Sequence, residues 1–294
     1  MTAPSLCWIN NAIKPTRDCH VSVLDHGLLY GDGIFEGCRF YHRQVLHLPR
    51  HLKRLQDSAQ AIQLNLPYSL AEIEQAIRQL ITAYGEESGY LRLVVTRGEG
   101  NLGLNPKHCP RGNLFIIADQ LSLASSSARQ QGLTMITSSI RRTTGTGLDS
   151  RVKSLNYLHS VLARMEANAA GVDEALLLNE RGMVAEATAE NVFIELNGEL
   201  ITPPVTDGAL GGITRATVIE LAAQSGFKVI ERSITTYDIY TADACFLTGS
   251  GAGLLPVKEL DSRQLRSPRG DIFGHLESAL TRYIAEQCPA GMMS

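Results

Sequence analysis

The sequence predicts a two-domain α/β (α+β) protein, and three observations carry that prediction. Runs with strand-type alternation interleave with apolar stripes at the three-and-four spacing of buried helix faces, in both halves of the chain. At 294 residues, 44% hydrophobic and 19% charged, the chain can bury a substantial core and has an ordinary globular composition. Between them, LSLASSSARQQ at residues 121–131 breaks all periodicity and reads as a linker. The expected division is therefore a small α/β domain at 1–120, the linker at 121–131, and a larger domain at 132–294.

Taken in order, CWINNAI, VSVLD, GIFEGCRFY and QVLHL read as short strands, the last two forming a hairpin across His42 and Arg43. PRHLKRLQDSAQAI then starts on a first-turn proline and spaces Leu52, Leu55, Ala59 and Ile62 along one face, with Arg54 beside that stripe. A second helix follows over YSLAEIEQAIRQLITAY, with Ser69 as its cap and Leu70, Ile73, Ile77, Leu80 and Ile81 as its stripe. The strands YLRLVVTRG and NLFIIAD flank the Gly/Pro/Asn-rich loop GEGNLGLNPKHCPRG.

Beyond the linker, the strand LTMITSSIRR runs through TTGTGLD to Lys153. A helix then places Leu155, Leu158, Leu162, Met165 and Ala169 on one stripe and ends at Gly171. EALLLN and MVAEATAENVFIEL flank the turn ERG, so strand alternation would put Glu186, Thr188 and Glu190 on one face. Asn197-Gly198 is a hairpin turn, VTDGALGG enters a helix carrying Val218, Leu221 and Ala222, and a last helix at about 271–288 is structural.

Net charge −3 gives no footprint for nucleic acid or an anionic membrane, and no apolar run approaches the roughly 20 residues of a spanning helix. Small-molecule chemistry is the expectation. The six cysteines form no CxxC and no disulfide framework, so reduced thiols in the cytoplasm are expected. His47 and His51 could share a helix face, but no third ligand is near in sequence, and no metal is expected.

Chemistry concentrates at Lys153 and the two carboxylates Glu186 and Glu190. Taken alone, that segment is equally a solvated lysine and wet-face glutamates. The loop before Thr214 could present free helix amides to a phosphate or could be a connecting glycine turn. LTGSGAGLLPV superficially matches a dinucleotide fingerprint, but Pro256 blocks the following helix, and a tight glycine turn lining a site fits better.

Nine fragments in register extend this reading: YGDGIFEG, HLKRLQDSA, YLRLVVTRG, KSLNYL, GVDEALLLN, AEATAENVF, TPP, GGITR and LTGSGAG. From about Val21 to Pro256 the chain resembles the class IV (fold type IV) pyridoxal-phosphate aminotransferases, closest to the branched-chain enzymes. The resemblance implies a two-domain fold type IV architecture with the active site between the domains, a cofactor-binding second domain, pyridoxal 5'-phosphate, and a homodimer or higher homo-oligomer. Lys153 matches the catalytic lysine that bonds to the cofactor, and Glu186 the carboxylate facing its ring nitrogen. Arg54 matches the phosphate-binding arginine, aided by Ile213, Thr214 and Ser250. Tyr157 matches the tyrosine near the phenolic oxygen, and Leu210 an apolar residue against the ring. Tyr30, Phe35, Arg39, Tyr90, Arg92, Gly251 and Ala252 match substrate-pocket positions; the arginines and Tyr90 could equally be framework residues.

The activity this implies is ping-pong transfer of an amino group from an apolar, branched-chain-like L-amino acid to 2-oxoglutarate. D-amino acid or (R)-amine transamination, aminodeoxychorismate lysis, or a non-catalytic cofactor-binding role are the alternatives. Two departures bear on the substrate. The linker carries no tyrosine, and Ser250-Gly251-Ala252-Gly253 replaces a threonine-alanine-alanine-glutamate run, which makes that wall smaller.

Overall fold

The computed structural model describes residues 4–121, 125–143 and 147–291. They pack as two compact units. The first holds the described residues of Met1–Leu121, Val152–Asn156 and Ile284–Ser294, and the second those of Ser122–Arg151 and Tyr157–Tyr283. The Lys153 segment therefore packs with the first unit although it was expected in the second domain. The cause is backbone pairing: Phe35 N–H donates to the Lys153 carbonyl and Leu155 N–H to that of Gly33, both at 2.9 Å.

The first unit contains β1 (Leu6–Ile9), β2 (Ala12–Pro15), α1 (His26–Tyr30), β3 (Gly33–Tyr41), β4 (Gln44–Val45), α2 (Leu48–Ala61), α3 (Leu70–Tyr84), β5 (Ser88–Thr96) and β6 (Asn113–Asp119). Its antiparallel sheet runs β2-β1-β6-β5-β3-β4. CWINNAI is two strands, because Asn10 and Asn11 both take left-handed φ and close a two-residue hairpin; His42 and Arg43 do the same between β3 and β4. The stripes of α2 and α3 bury Leu55, Ile73, Ile77 and Leu80 against Ile34, Phe40, Leu91 and Leu93, each fully buried side chain contributing about 1.5–3 kcal/mol. Ser69 and Glu72 close a reciprocal capping box on α3.

VSVLD is not a strand. Asp25 is fully buried and caps α1 by accepting from Gly27 N–H, and it also accepts from Thr96 Oγ1 and Asn113 Nδ2. Those three charge-assisted bonds outweigh the strand tendency of the flanking valines.

The second unit comprises α4 (Ser126–Gln131), β7 (Leu133–Arg142), α5 (Leu158–Ala170), β8 (Glu174–Asn179), β9 (Val184–Ala187), β10 (Asn191–Leu196), β11 (Glu199–Thr202), α6 (Ile213–Gln224), β12 (Lys228–Glu231), α7 (Thr236–Thr241), β13 (Ala244–Gly249), β14 (Gly253–Leu260), β15 (Arg263–Gln264) and α8 (Asp271–Gln287). Helix α8 continues past this unit's last residue, Tyr283. The mixed sheet runs β12-β11-β10-β13-β14-β7-β8-β9, with β15 on β14. Phe193 stacks on Phe246, which meets Phe273 of α8 edge-on. Asn197-Gly198 turns as expected, both with positive φ.

Three expectations change here. The linker holds a helix, α4, capped by Ser125; residues 122–124 of the linker and 144–146 of TTGTGLD lie outside the described residues. The stripe assigned to α5 is reversed. The helix starts at Leu158, buries Ser160, Ala163 and Ala167, and leaves Leu158 at 68%, Val161 at 53% and Met165 at 59% exposed. Ala163 and Ala167 join Ala175 and Leu177 of β8 in one small core, where alanines suit a close helix–sheet approach better than the long leucines. Finally, β9 stops at Ala187, whose N–H turns back to the Glu190 carbonyl, so Glu186, Thr188 and Glu190 do not share a strand face.

Candidate active site

In the first unit, Lys153 is fixed by its own backbone. Besides the β3 pairing, its N–H donates to Ser58 Oγ of α2 at 3.2 Å, and Ser154 bridges Ile34. The ammonium lies 4.4 Å from the centroid of the Phe35 ring, a cation–π contact. Arg92 approaches the same ring at 4.7 Å and the Tyr90 ring at 5.5 Å. The register makes this possible, because Gly37 opposes Arg92 and Arg39 opposes Tyr90 across β3 and β5. A Cβ on Gly37 would collide with the Tyr90 hydroxyl, so the glycine admits the phenol.

Of the other substrate-pocket expectations in this unit, Arg39 donates through Nη2 to the Leu121 carbonyl at 2.7 Å. The Tyr30 hydroxyl donates to the Leu102 carbonyl at 2.5 Å, holding its own loop. Thus Lys153 and Arg92 meet at the Phe35 ring with Tyr90 beside Arg92, whereas the polar ends of Arg39 and Tyr30 bond backbone carbonyls.

The opposite face of β3 carries Ile34, Glu36, Cys38 and Phe40, all fully buried. Arg54 reaches it from α2, its Nε donating to Glu36 Oε1 at 2.7 Å and its Nη2 to Oε2 at 2.8 Å. His51 Nδ1 meets Oε2 at 2.7 Å. Burial works to raise the Glu36 carboxyl, but Arg54 and then His51 bring it down to about 2. Glu36, Cys38 and His51 have metal-ligand geometry, yet Glu36 already accepts from a guanidinium and an imidazole, so the cation of this cluster is Arg54.

In the second unit, Glu186 is buried and ion-paired, Oε1 to Arg142 Nη2 at 2.6 Å. Its Oε2 accepts from Leu210 N–H at 2.8 Å and weakly from Asn191 Nδ2 at 3.4 Å. Asn191 Nδ2 also donates to the Leu210 carbonyl at 2.9 Å. Arg142 is itself held by the Gly208 carbonyl and by His159 Nε2; burial first, and then Arg142, lower His159 to about 4 and keep it neutral. Tyr157 lies beside His159, ring centroids 5.8 Å apart. The sequence did not single out Arg142, Asn191, Glu36 or His159. Glu36 carried a signal, a charge at an apolar-face position of its strand.

Helix α6 begins at Gly212 with no side-chain cap, leaving its first amides for another acceptor. A Cβ at Gly212 would collide with Asn191 Oδ1. Thr214 Oγ1 and Ser250 Oγ stand 3.4 Å apart, bringing the two expected phosphate hydroxyls together. The Ser250–Gly253 stretch is a tight turn between β13 and β14, as expected. Its Ala252 carbonyl accepts from Arg129 of α4 at 2.8 Å, so Ala252 is backbone-anchored.

Glu190 faces elsewhere, toward a cavity of about 190 Å³ lined also by Arg164, Glu174 and Leu247. Burial, then Glu174, pushes its carboxyl from 4.5 up to about 8.

A family model described as amino-transferase class IV matches residues 33–260, and the chain belongs to that family. It is thus a class IV aminotransferase, of the branched-chain-aminotransferase type in its relatives, and its cofactor is pyridoxal 5'-phosphate. A Methanocaldococcus jannaschii relative is 44% identical over 260 residues, covering 88% of this chain and 89% of that one. The branched-chain-amino-acid aminotransferase of Pseudomonas aeruginosa is 37% identical, covering 92% and 90%. The Escherichia coli branched-chain aminotransferase structure superposes with a TM-score of 0.92 at 30% identity, covering 98% and 97%. The branched-chain aminotransferase of Thermobaculum terrenum, in its PLP-bound holo form, gives 0.85 at 31% identity, covering 98% and 96%.

Each unit carries donors of kinds this cofactor takes: an amine and an arginine in the first, and a buried ion-paired carboxylate, an uncapped helix start and two hydroxyls in the second.

Glu190 yields a test of the second unit's electrostatics. A carboxyl raised in the fold contributes stability that is fully present below about pH 4.5 and lost as pH rises through about 8. Glu190→Gln should flatten the melting-temperature profile across that window and exceed the parent by about 2 kcal/mol near pH 9; an unchanged profile would show that Glu190 is ionised throughout.

Proposed function

We propose that the enzyme moves the amino group of an apolar, branched-chain-like L-amino acid to 2-oxoglutarate by a ping-pong mechanism. The observation that carries this reading is the meeting of Lys153 and Arg92 at the Phe35 ring, with Arg92 also over the Tyr90 ring. An apolar ring beside an arginine offers an amino acid one surface for its side chain and one for its carboxylate.

When bound, pyridoxal 5'-phosphate supplies the electron-withdrawing ring that accepts the electron pair of the substrate's Cα–H bond. Lys153 Nζ would hold the cofactor, and it would take the substrate's α-proton and return it on the product side. Its backbone pairing with β3 restricts where that nitrogen can go. Glu186 holds the proton of the ring nitrogen, and Arg142 with the Leu210 amide keep the carboxylate in place. Arg54, the Ile213 and Thr214 amides and the Thr214 and Ser250 hydroxyls bind the phosphate. Tyr157 orients the phenolic oxygen, Leu210 borders the ring, and Gly251 and Ala252 form a small substrate wall with Tyr30 and Arg39 at the pocket.

We read the protein as a cytoplasmic homodimer or higher homo-oligomer. Six free thiols fit a reducing compartment. Exposed large apolar residues suit a subunit interface, Leu158, Val161 and Met165 on α5 and Val23, Leu28, Leu102 and Leu104 in the first unit. Among the described residues no helix is long and apolar enough to cross a membrane.

Four measurements test this reading. Lys153→Ala should lose turnover by roughly a thousandfold or more together with the visible band of the bound cofactor, and near-normal transamination would overturn the mechanism. Arg92→Gln should raise KM for 2-oxoglutarate by about tenfold and KM for leucine less. Product formation without any keto-acid acceptor would point instead to lyase chemistry. By sedimentation, the protein should run as a dimer or larger, and Leu158→Glu should shift it toward monomer; a monomeric parent would refute the assembly.

A further inference from the structure

We infer that Glu36 and His51 are positioning residues for Arg54, presetting its guanidinium as the phosphate ligand; this rests on the phosphate role proposed for Arg54. Glu36 is a carboxylate at zero exposure on a strand face otherwise made of Ile34, Cys38 and Phe40. A charge there is tolerated only with partners, and it has two, both from α2. Arg54 engages it side-on through Nε and Nη2, and His51, one turn earlier, engages the same Oε2.

This geometry does three things to the guanidinium. The two parallel bonds fix its plane and turn the edge bearing Nη1 away from Glu36. The side chain is 15% exposed while its partner carboxylate is 0% exposed. Ser58, one turn after Arg54 on α2, accepts from Lys153 N–H, which sets arginine and lysine along one helix face.

His51 completes the arrangement as a neutral donor. Burial lowers its basicity against the pull of Glu36, and Arg54 and Lys153 lower it further, so Nδ1–H donates to the carboxylate without adding a charge. The cluster then holds one anion and one cation. A metal ion at Glu36, Cys38 and His51 would have to take a carboxylate oxygen that already accepts from the guanidinium.

The test is equilibrium rebinding to protein stripped of its cofactor, followed by the visible band, with pyridoxal 5'-phosphate and with pyridoxal, which lacks the phosphate. The ratio of the two affinities isolates the phosphate contribution. Glu36→Gln should reduce that ratio by roughly tenfold, leaving pyridoxal affinity close to the parent's. His51→Leu should reduce it by a smaller factor, and His51→Asn, whose amide nitrogen can stand where Nδ1 does, should restore it. The His51 pair decides the matter if Glu36→Gln does not fold. If Arg54→Met collapses the ratio while Glu36→Gln and His51→Leu preserve it, the positioning role is overturned and the phosphate role of Arg54 stands. If Arg54→Met preserves the ratio, the phosphate role falls, and the inference with it.

Discussion

The backbone pairing of the Lys153 segment with the edge of β3 is the constraint on which the first unit's chemistry depends. Two 2.9 Å hydrogen bonds and the Ser58 contact hold residues 153–155 against strand and helix at once. A lysine on a free loop would spread its ammonium over many rotamers and backbone states, each costing entropy to select. Here the backbone is already fixed, and only the side chain remains to move. That suits a group that must be released from one partner and still act on the next.

Each unit also buries one carboxylate against one arginine. Glu36 with Arg54 and Glu186 with Arg142 share short bonds and buried carboxylates, and each pair recruits a histidine, His51 on the carboxylate and His159 on the arginine. Both imidazoles are lowered in basicity, first by burial. Neutral histidines finish the hydrogen bonding without unbalancing the charge, which a lysine in either place would do. Glu190 shows the contrary case: Arg164 bonds Glu174, and the carboxyl beside them is driven toward its neutral form.

Much of this was legible in the sequence because local rules and tertiary packing agree. The α2 and α3 stripes, the Ser69 cap, the Asn197-Gly198 turn and the glycine turn before Pro256 follow from spacing and turn chemistry alone. The failures have a common physical origin in long-range contacts. Asp25 ends a would-be strand through partners at Thr96 and Asn113, about 71 and 88 residues away. The α5 stripe misleads because periodicity marks an apolar face without saying what covers it, and β7 and β8 accept only alanine and serine. Lys153 sits in the first unit because of a pairing with Gly33 and Phe35 that no sequence window spans. The site assignments rest on family motifs, which assign no role to Arg142 and Glu36, the residues that bond Glu186 and Arg54.

Stability alone does not account for keeping an ion pair at Glu36 and Arg54. Dehydrating two charges costs several kcal/mol each, and well-packed apolar replacements of a buried pair are often neutral or stabilising by roughly 1–4 kcal/mol. Ile34, Cys38 and Phe40 show that this strand face can be filled by apolar side chains. What an apolar replacement cannot supply is a guanidinium of fixed plane. An unrestrained arginine has about 2 kcal/mol of rotamer entropy to surrender when it meets an anion. In this fold the surrender occurs during folding, when Glu36 takes two of its nitrogens. An anion bound there would meet a charge already oriented, so a cost in stability would return as affinity.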